Sequence, residues 1–204
     1  MKRLLFVQGS PRGANSDSGK VAEAFLADRQ DRAVDTIDLW KEALPEFDGD
    51  KASAKMTVIT GGSLEGATRT AWDEIAGIAE RFTSADEYLF TVPMWNGGIP
   101  YRLKLYIDII TQPGMLFGFD PATGYSGLLK GKRATVIYTS GVFSPGVAPA
   151  FGSDFHSTYF NDWLRFIGIN EVTEIRFQPT LLTADPAAAL KTAIALAKST
   201  AAQI

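Results

Sequence analysis

The sequence lacks cysteine altogether and contains a single histidine among its 204 residues. The first absence excludes disulfides, thiolate nucleophiles and cysteine-ligated metals. The second excludes a histidine-rich metal site, and a Ser-His-Asp triad would have to use His156. We therefore expect no metal centre. Because His156 stands near the start of a predicted helix, we expect a surface or capping residue there rather than a catalyst.

Long apolar runs and blocks of positive charge are also missing. No apolar stretch reaches the ~20 residues that cross a bilayer. The apolar N-terminal run stops at Gln8-Gly9-Ser10-Pro11, before any site that resembles a signal-peptide cleavage site. The formal net charge is −3 and the basic residues are scattered, which argues against phosphate-driven nucleic-acid binding. We expect a cytoplasmic protein that binds neither membranes nor nucleic acids.

Short apolar runs alternate with segments of helical periodicity, which is typical of a parallel sheet covered on both faces. Five strands fit the flavodoxin-like order 2-1-3-4-5, since the dinucleotide-binding order needs six. The fold class is therefore predicted as α/β, a doubly wound five-stranded parallel sheet with helices on both faces. We expect residues 1–204 to form a single domain. The predicted strands are Arg3–Gln8, Ala33–Leu39, Glu87–Val92, Arg133–Thr139 and Val172–Phe177.

Two longer segments interrupt this alternation. Residues 40–66, with Pro45 and several glycines, predict an irregular surface excursion. Whether 56–60 forms a short strand within it stays open. Residues 115–131 mix glycines with aromatics and predict a loop or hairpin. Trp163 and Phe166 are candidates for a subunit interface. Five large side chains are interpreted as core residues: Trp40, Met56, Trp72, Met115 and Trp163.

Hydroxyl side chains follow the first strand, where ligands of open parallel sheets bind. Ser10 precedes Ser16 and Ser18, which stand where a helix begins. Free N–H groups and the helix dipole favour an anion at such a place, and hydroxyls can donate to phosphate. The alternative is that Ser16 or Asp17 only caps the helix. Asp17 would repel a phosphate unless its carboxylate turns away.

The loop after the third strand offers a surface for a flat ring. Met94 and Trp95 supply polarisable area, and Asn96 with the N–H groups of residues 95–97 can bond a polar ring edge. Gly97 allows close approach of the backbone. The alternative is a helix-initiating loop with Trp95 in the core.

Together these loops resemble the FMN-dependent NADH-azoreductase family, whose members also act as NADH:quinone oxidoreductases. The resemblance runs through nearly the whole chain in the same order. It is carried by Gly9-Ser10-Pro11-Arg12, Ser16-Asp17-Ser18, Pro93-Met94-Trp95-Asn96, Ile99-Pro100, Leu103-Lys104, Tyr106, Ile107-Asp108, Gly127-Leu128-Leu129, Gly131-Lys132-Arg133-Ala134 and Phe166-Ile167-Gly168-Ile169.

The resemblance implies a flavodoxin-like homodimer with FMN sites at its interface. It implies two-electron, ping-pong hydride transfer from NADH through FMN to a quinone or azo compound, with no catalytic side chain. Thr139-Ser140-Gly141-Val142 replaces the family's frequent Ser-Arg-Gly-Gly, and Gly97-Gly98 replaces bulkier residues. The implied FMN-binding residues are Ser10, Ser16, Asp17, Ser18, Met94, Trp95, Asn96, Gly97, Ser140 and Gly141.

Several alternatives stay open at this point. Phe117, Phe119 and Tyr125 either pack ordinarily or, by resemblance, belong to a segment that folds over the flavin, that of the same chain or that of the partner subunit. The chain is alternatively another flavodoxin-fold NAD(P)H-dependent reductase or a non-enzymatic FMN electron carrier. A serine hydrolase is disfavoured because the sequence contains no G-x-S-x-G elbow.

Overall fold

The computed structural model describes the backbone of residues 1–204 and every side chain except that of Ala14. The strands are β1 Lys2–Gln8, β2 Arg32–Asp38, β3 Glu87–Pro93, β4 Phe117–Asp120, β5 Gly124–Gly127, β6 Arg133–Thr139 and β7 Glu171–Phe177. Five of them form a parallel sheet in the order β2-β1-β3-β6-β7, and β4 pairs with β5 as an antiparallel hairpin. The predicted order 2-1-3-4-5 is confirmed, counting only the strands of the parallel sheet.

Helices cover both faces of this sheet, as predicted. They are α1 Asp17–Ala27, α2 Gly49–Ile59, α3 Gly66–Thr83, α4 Tyr101–Ile110, α5 Ser157–Phe166 and α6 Pro186–Gln203. Side chains of a strand alternate between faces, so Leu4 and Phe6 pack against α1 and α6, whereas Leu5 and Val7 face the core under α2 to α5. Among the described residues, no helix combines the length and apolarity that crossing a bilayer requires.

The segment 40–66 differs from the prediction. It contains α2, whose first turn is capped by the Asp48 carboxylate accepting from the Lys51 amide at 3.1 Å. The prediction of an irregular excursion, with or without a strand at 56–60, is wrong. Lys51 and Ala54 are the helix's buried residues, so it carries too little apolar periodicity to be recognised. Met56 is 55% exposed and is not a core residue.

The tryptophans divide between core and surface. Trp72 and Trp163 are buried, as predicted, and Trp163 donates its indole N–H to the Thr111 hydroxyl at 3.0 Å. Trp163 therefore cannot contribute its side chain to a subunit interface, and that part of the prediction is wrong. Phe166 is half-buried against the hairpin, 5.2 Å from the Phe117 ring centroid.

The β4–β5 hairpin is one of the two forms predicted for residues 115–131. Its strands are short, and Phe117 on β4 is buried. The hairpin sits on the end of α5, where a Cβ added to Gly127 would lie 2.1 Å from the Gly168 nitrogen. Phe119 and Tyr125 point outward and are 57% and 64% exposed.

Candidate cofactor site

Two adjoining clefts lie at the carboxyl ends of β1, β3, β6 and β7. The ten residues predicted to bind a cofactor all line one or both of them. The serine cleft is lined by Ser10, Pro11, Arg12, Ser16, Asp17, Ser18, Pro93, Met94, Trp95, Thr139, Ser140, Gly141 and Thr180. The phenylalanine cleft is lined by Met94, Asn96, Gly97, Ser140, Gly141, Val142, Phe143, Phe151, Gly152 and Ser153.

The loop after β1 enters the serine cleft over the end of β3. The Gly9 amide donates to the Thr91 carbonyl at 3.1 Å and to its hydroxyl at 3.0 Å. A Cβ on Gly9 would lie 2.4 Å from the Thr91 carbonyl oxygen, so only glycine allows this approach. The approach places the buried Ser10 hydroxyl beside the start of α1.

The start of α1 presents hydroxyls and free amides to the serine cleft. The Ser16 hydroxyl accepts from the Gly19 amide at 3.1 Å and lies 3.0 Å from the Ser18 hydroxyl. Ser16 therefore caps the helix, as one alternative proposed. The cap leaves the amides of Asp17 and Ser18 without an intrahelical acceptor. Together with the helix dipole, these donors make an anion site.

Asp17 does not place an uncompensated charge in this site. Its carboxylate lies 2.8 Å from the Lys20 ammonium and 3.7 Å from the Arg12 guanidinium. The two cations screen the carboxylate, while the Asp17 amide remains at the helix start. The repulsion expected between Asp17 and a phosphate is thereby reduced.

The loop after β3 is closed by a tight turn. The Trp95 amide donates to the Gly98 carbonyl at 2.8 Å and the Gly98 amide returns to Trp95 at 2.9 Å. Asn96 and Gly97, with φ of 49° and 84°, occupy the two left-handed positions that an Asn-Gly pair suits. Because this turn uses the Trp95 amide, the expectation that the amides of 95–97 all face a ligand is wrong for residue 95.

Trp95 lies on the surface of the site and not in the core. It is 37% exposed, and its ring centroid lies 5.4 Å from that of Trp40 and 6.4 Å from that of Tyr101. Trp40 also donates its indole N–H to the Gly9 carbonyl at 3.0 Å. Trp40 was predicted to be a core residue; it is partly buried against the core, and its bond to Gly9 was not predicted. Its position directly after β2, at the same edge of the sheet, was the available signal.

The loop after β6 forms the opposite wall. The Ser140 hydroxyl donates to the Phe143 carbonyl within the loop. The carbonyls of Ser140 and Gly141 accept from the amides of Thr180 and Leu181, each at 2.8 Å. Thr180 follows β7, the fifth strand of the parallel sheet, and no site residue was predicted in the loop after that strand.

His156 is fully buried, so the prediction of a surface residue is wrong. It occupies the N-cap position of α5, as the other alternative had it, but its side chain makes no capping hydrogen bond. Its Nε2 lies 2.6 Å from the Val92 carbonyl oxygen, and because a carbonyl only accepts, Nε2 carries the proton. Burial lowers the pKa of His156 to about 4. The capping role belongs to Asp154, whose carboxylate accepts from the Ser157 amide at 2.7 Å. A buried ring with its Nε2 occupied cannot serve a hydrolytic triad.

The two clefts fit a phosphorylated flat ring such as FMN. The anion site supplies three hydroxyls and two free amides at one end. Met94, Trp95 and Phe151 line the remainder with polarisable and aromatic surface. Among the described side chains, no cluster of acidic and histidine residues is positioned to hold a metal ion.

Comparisons with known proteins agree with this arrangement. A family described as having a flavodoxin-like fold matches residues 2–200. An FMN-dependent NADH:quinone oxidoreductase of Ruegeria pomeroyi is 56% identical over 199 residues, covering 96% of this chain and 98% of that protein. The chain belongs to the FMN-dependent NADH:quinone oxidoreductase family. Another member, from Desulfotalea psychrophila, is 46% identical over 188 residues, with 89% of this chain and 87% of the relative covered.

Two crystal structures of azoreductases are similar to the structure of this chain. A crystal structure of an FMN-dependent NADH-azoreductase from Bacillus anthracis, in complex with FMN, superposes with a TM-score of 0.87 at 26% identity. It covers 100% of this chain and 99% of that one. A second azoreductase structure from B. anthracis gives a TM-score of 0.89 at 25% identity over 100% of both chains. The family named from the motifs of the sequence is confirmed.

Proposed function

We propose that this chain is an FMN-dependent NADH:quinone oxidoreductase that also reduces azo compounds. The observation that carries the proposal is the convergence of a hydroxyl-lined helix start and an aromatic turn on one continuous crevice. Membership of a family whose members are named for this activity supports it. The ten predicted residues are proposed as the FMN contacts, within one domain spanning residues 1–204.

The start of α1 would hold the FMN phosphate. Ser10, Ser16 and Ser18 are buried and line the serine cleft together, and the amides of Asp17 and Ser18 have no intrahelical acceptor. These neutral donors favour a dianion at the helix start, and Arg12 lines the same cleft. Arg12 and Lys20 neutralise Asp17, so that carboxylate does not oppose the phosphate.

The remaining residues would hold the ring and shape the acceptor space. Met94 and Trp95 line one wall, and Ser140 and Gly141 line the other. The free amides of the Asn-Gly turn can donate to the ring's polar edge, where negative charge develops on reduction. Phe151, 48% exposed, adds an apolar wall suited to a flat quinone or azo substrate.

Bound FMN would supply the redox chemistry, two-electron hydride transfer from NADH and then to the acceptor in a ping-pong cycle. Among the described residues that line the clefts, Arg12 and Asp17 are the ionisable ones, and they pair with each other at the phosphate end. No lining side chain is therefore placed to act as a general acid at the ring. We assign the chain binding and orientation, with protons coming from water.

A homodimer is part of the proposal. Tyr125 contacts Phe166 at the C-terminal end of α5, and Phe119 packs on Tyr125. The clefts lie beyond the N-terminal end of α5, about 15 Å away for a ten-residue helix. These exposed aromatics therefore do not cover the chain's own clefts. Their exposure supports an arrangement in which the hairpin reaches the site of a partner subunit.

The cofactor assignment is tested by absorbance and release. We expect purified protein to be yellow and to release FMN on denaturation. Ser16→Glu puts a carboxylate into the anion site and Asn96→Leu removes a polar group from the turn, so both should weaken FMN retention. Ser199→Glu adds the same charge to an exposed position on α6 and serves as the control. Normal retention by both site variants would contradict the assignment.

The activity is tested by steady-state kinetics with NADH and a panel of quinones, azo dyes and chromate. We expect parallel-line initial-rate patterns, the signature of a ping-pong cycle, with quinones and azo dyes. Turnover of chromate without quinones or azo dyes would favour another reductase of the same fold. Accumulation of a one-electron reduced species during titration with dithionite would favour an electron carrier.

A further inference from the structure

The loop after β6, residues 141–156, forms a wall of the phenylalanine cleft but is weakly tied to the sheet. It contributes Val142, Phe143, Phe151, Gly152 and Ser153 to the lining. Between residues 142 and 155, the described hydrogen bonds all join partners within residues 140–157. Such local bonds shape the loop without fixing its distance from β3.

Two bonds connect this segment to β3 and the turn that follows it. The Met94 amide donates to the Thr139 carbonyl at 2.7 Å at the start of the loop, and His156 makes the second bond at the far end. Its Nε2–H donates to the carbonyl of Val92 at 2.6 Å, 64 positions away in sequence. Val92 is the penultimate residue of β3, two residues before Met94. His156 follows Ser153 by three residues. The bond therefore joins the bases of the two walls that the clefts separate.

The surroundings hold the imidazole in one orientation. Tyr138 packs edge-on against the imidazole at a centroid distance of 4.9 Å, and the Arg176 guanidinium lies over the same tyrosine ring, 4.9 Å from its centroid. The Asp154 carboxylate accepts from the His156 amide at 3.1 Å. His156 is fully buried among these contacts from β6, β7 and the loop, and its Nε2 makes the one hydrogen bond of the ring among the described residues, since Nδ1 has no partner.

We propose that His156 is a positioning residue for the FMN site, in which the Nε2–H bond to Val92 holds the far end of the loop after β6 at a fixed distance from β3. The inference rests on the proposed function. Without the bond, the loop occupies its binding-competent position only part of the time. The apparent FMN dissociation constant rises by the inverse of that fraction.

Three variants separate positioning from general stability. His156→Phe keeps an aromatic ring but removes the donor, and His156→Gln restores an amide N–H near the position of Nε2. Trp163→Phe also removes a buried ring N–H donor from α5, but at the end far from the clefts. FMN affinity of each apoprotein is measured by quenching of flavin fluorescence, and stability by urea unfolding without FMN.

We expect His156→Phe to weaken FMN binding by about tenfold or more and His156→Gln to stay within about threefold of wild type. Trp163→Phe should lose stability without losing FMN affinity. Equal FMN affinity in His156→Phe and wild type would overturn the role of His156 alone. Equal weakening by the Gln and Phe variants would also overturn it. A wild-type apoprotein that takes up no FMN would remove the proposed function as well.

The single histidine gives a second measurement that needs no variant. In ¹⁵N NMR its one imidazole should show the Nε2–H tautomer, remain neutral at pH 5.5, and shift when FMN is added. A ring that titrates near its ordinary value, or a resonance that does not move at FMN saturation, would overturn the inference even if His156→Phe fails to fold.

Discussion

A buried ion cluster at the amino-terminal edge of the sheet offers a direct test of what holds the fold together. Glu87, the first residue of β3, is 3% exposed and accepts from the guanidinium of Arg29, which is also 3% exposed. Arg32 donates to the other carboxylate oxygen from Nη2 at 3.0 Å and from Nε at 3.2 Å. Arg29 also donates to the Ala201 carbonyl at 3.0 Å, so the cluster joins the loop after α1, β2, β3 and α6.

Glu87→Gln removes the anion and leaves both arginines in place. Breaking a buried ion pair by removing one partner costs about 3–5 kcal/mol. We expect the lower end, about 3 kcal/mol, because Arg32 keeps Asp31 as a partner and its side chain is 13% exposed. With an m-value of about 2 kcal/mol/M, the urea midpoint should fall by about 1.5 M.

Urea unfolding followed by circular dichroism and by tryptophan fluorescence measures this change. Asp162→Asn breaks an exposed pair with Arg165, whose side chains are 77% and 60% exposed, and should cost less than about 0.5 kcal/mol. FMN affinity should not change in Glu87→Gln, since the cluster lies at the edge opposite the clefts. A loss below about 1 kcal/mol would refute the reasoning that these charges depend on each other.

Three further outcomes are expected. Burial lowers the pKa of His156 from 6.5 to about 4, so between these pH values the unfolded chain binds a proton that the folded chain does not. The free energy of unfolding should therefore fall by up to about 3 kcal/mol as the pH is lowered from 6.5 to 4. Urea midpoints of wild type and His156→Phe should converge over that range, and parallel curves would contradict it. Lysine at both Phe119 and Tyr125 should give a monomer in light scattering, and an unchanged mass would exclude the hairpin from the interface. Trp40→Phe removes the 3.0 Å hydrogen bond to the Gly9 carbonyl. It should lower the free energy of unfolding in urea by about 1 kcal/mol and weaken FMN binding. No change in either quantity would show that this bond is unimportant.

The parallel sheet was readable from the sequence because its central strands are continuous apolar runs. All of β3 except Pro93 is buried, and such a run between turn residues has few other interpretations. Helix α2 was not readable for the opposite reason. It buries only Lys51 and Ala54, with its other residues partly or fully exposed, and its pairing of Lys51 with Glu74 at 3.0 Å depends on α3.

The site was partly readable through one topological rule. Parallel strands end at a common edge, so the loops after β1 and β3 were expected to meet, and their residues do line one crevice. Thr180 is held at that crevice by the hydrogen bond from its backbone amide to the Ser140 carbonyl. The local sequence around Thr180 does not reveal this partner. His156 is likewise buried against Val92, which lies 64 positions away, so the residues around His156 in the sequence do not indicate its partner.

The contact between Gly127 and Gly168 fixes the position of the β4–β5 hairpin against the end of α5. Leu129 continues the contact by donating its amide to the Ile167 carbonyl at 2.9 Å, so two backbones meet here without intervening side chains. A methyl group at Gly127 would drive the segments apart. The exposed rings of Phe119 and Tyr125 are therefore held on a rigid hairpin. A surface that binds them meets a preformed shape, so binding costs the hairpin little conformational entropy.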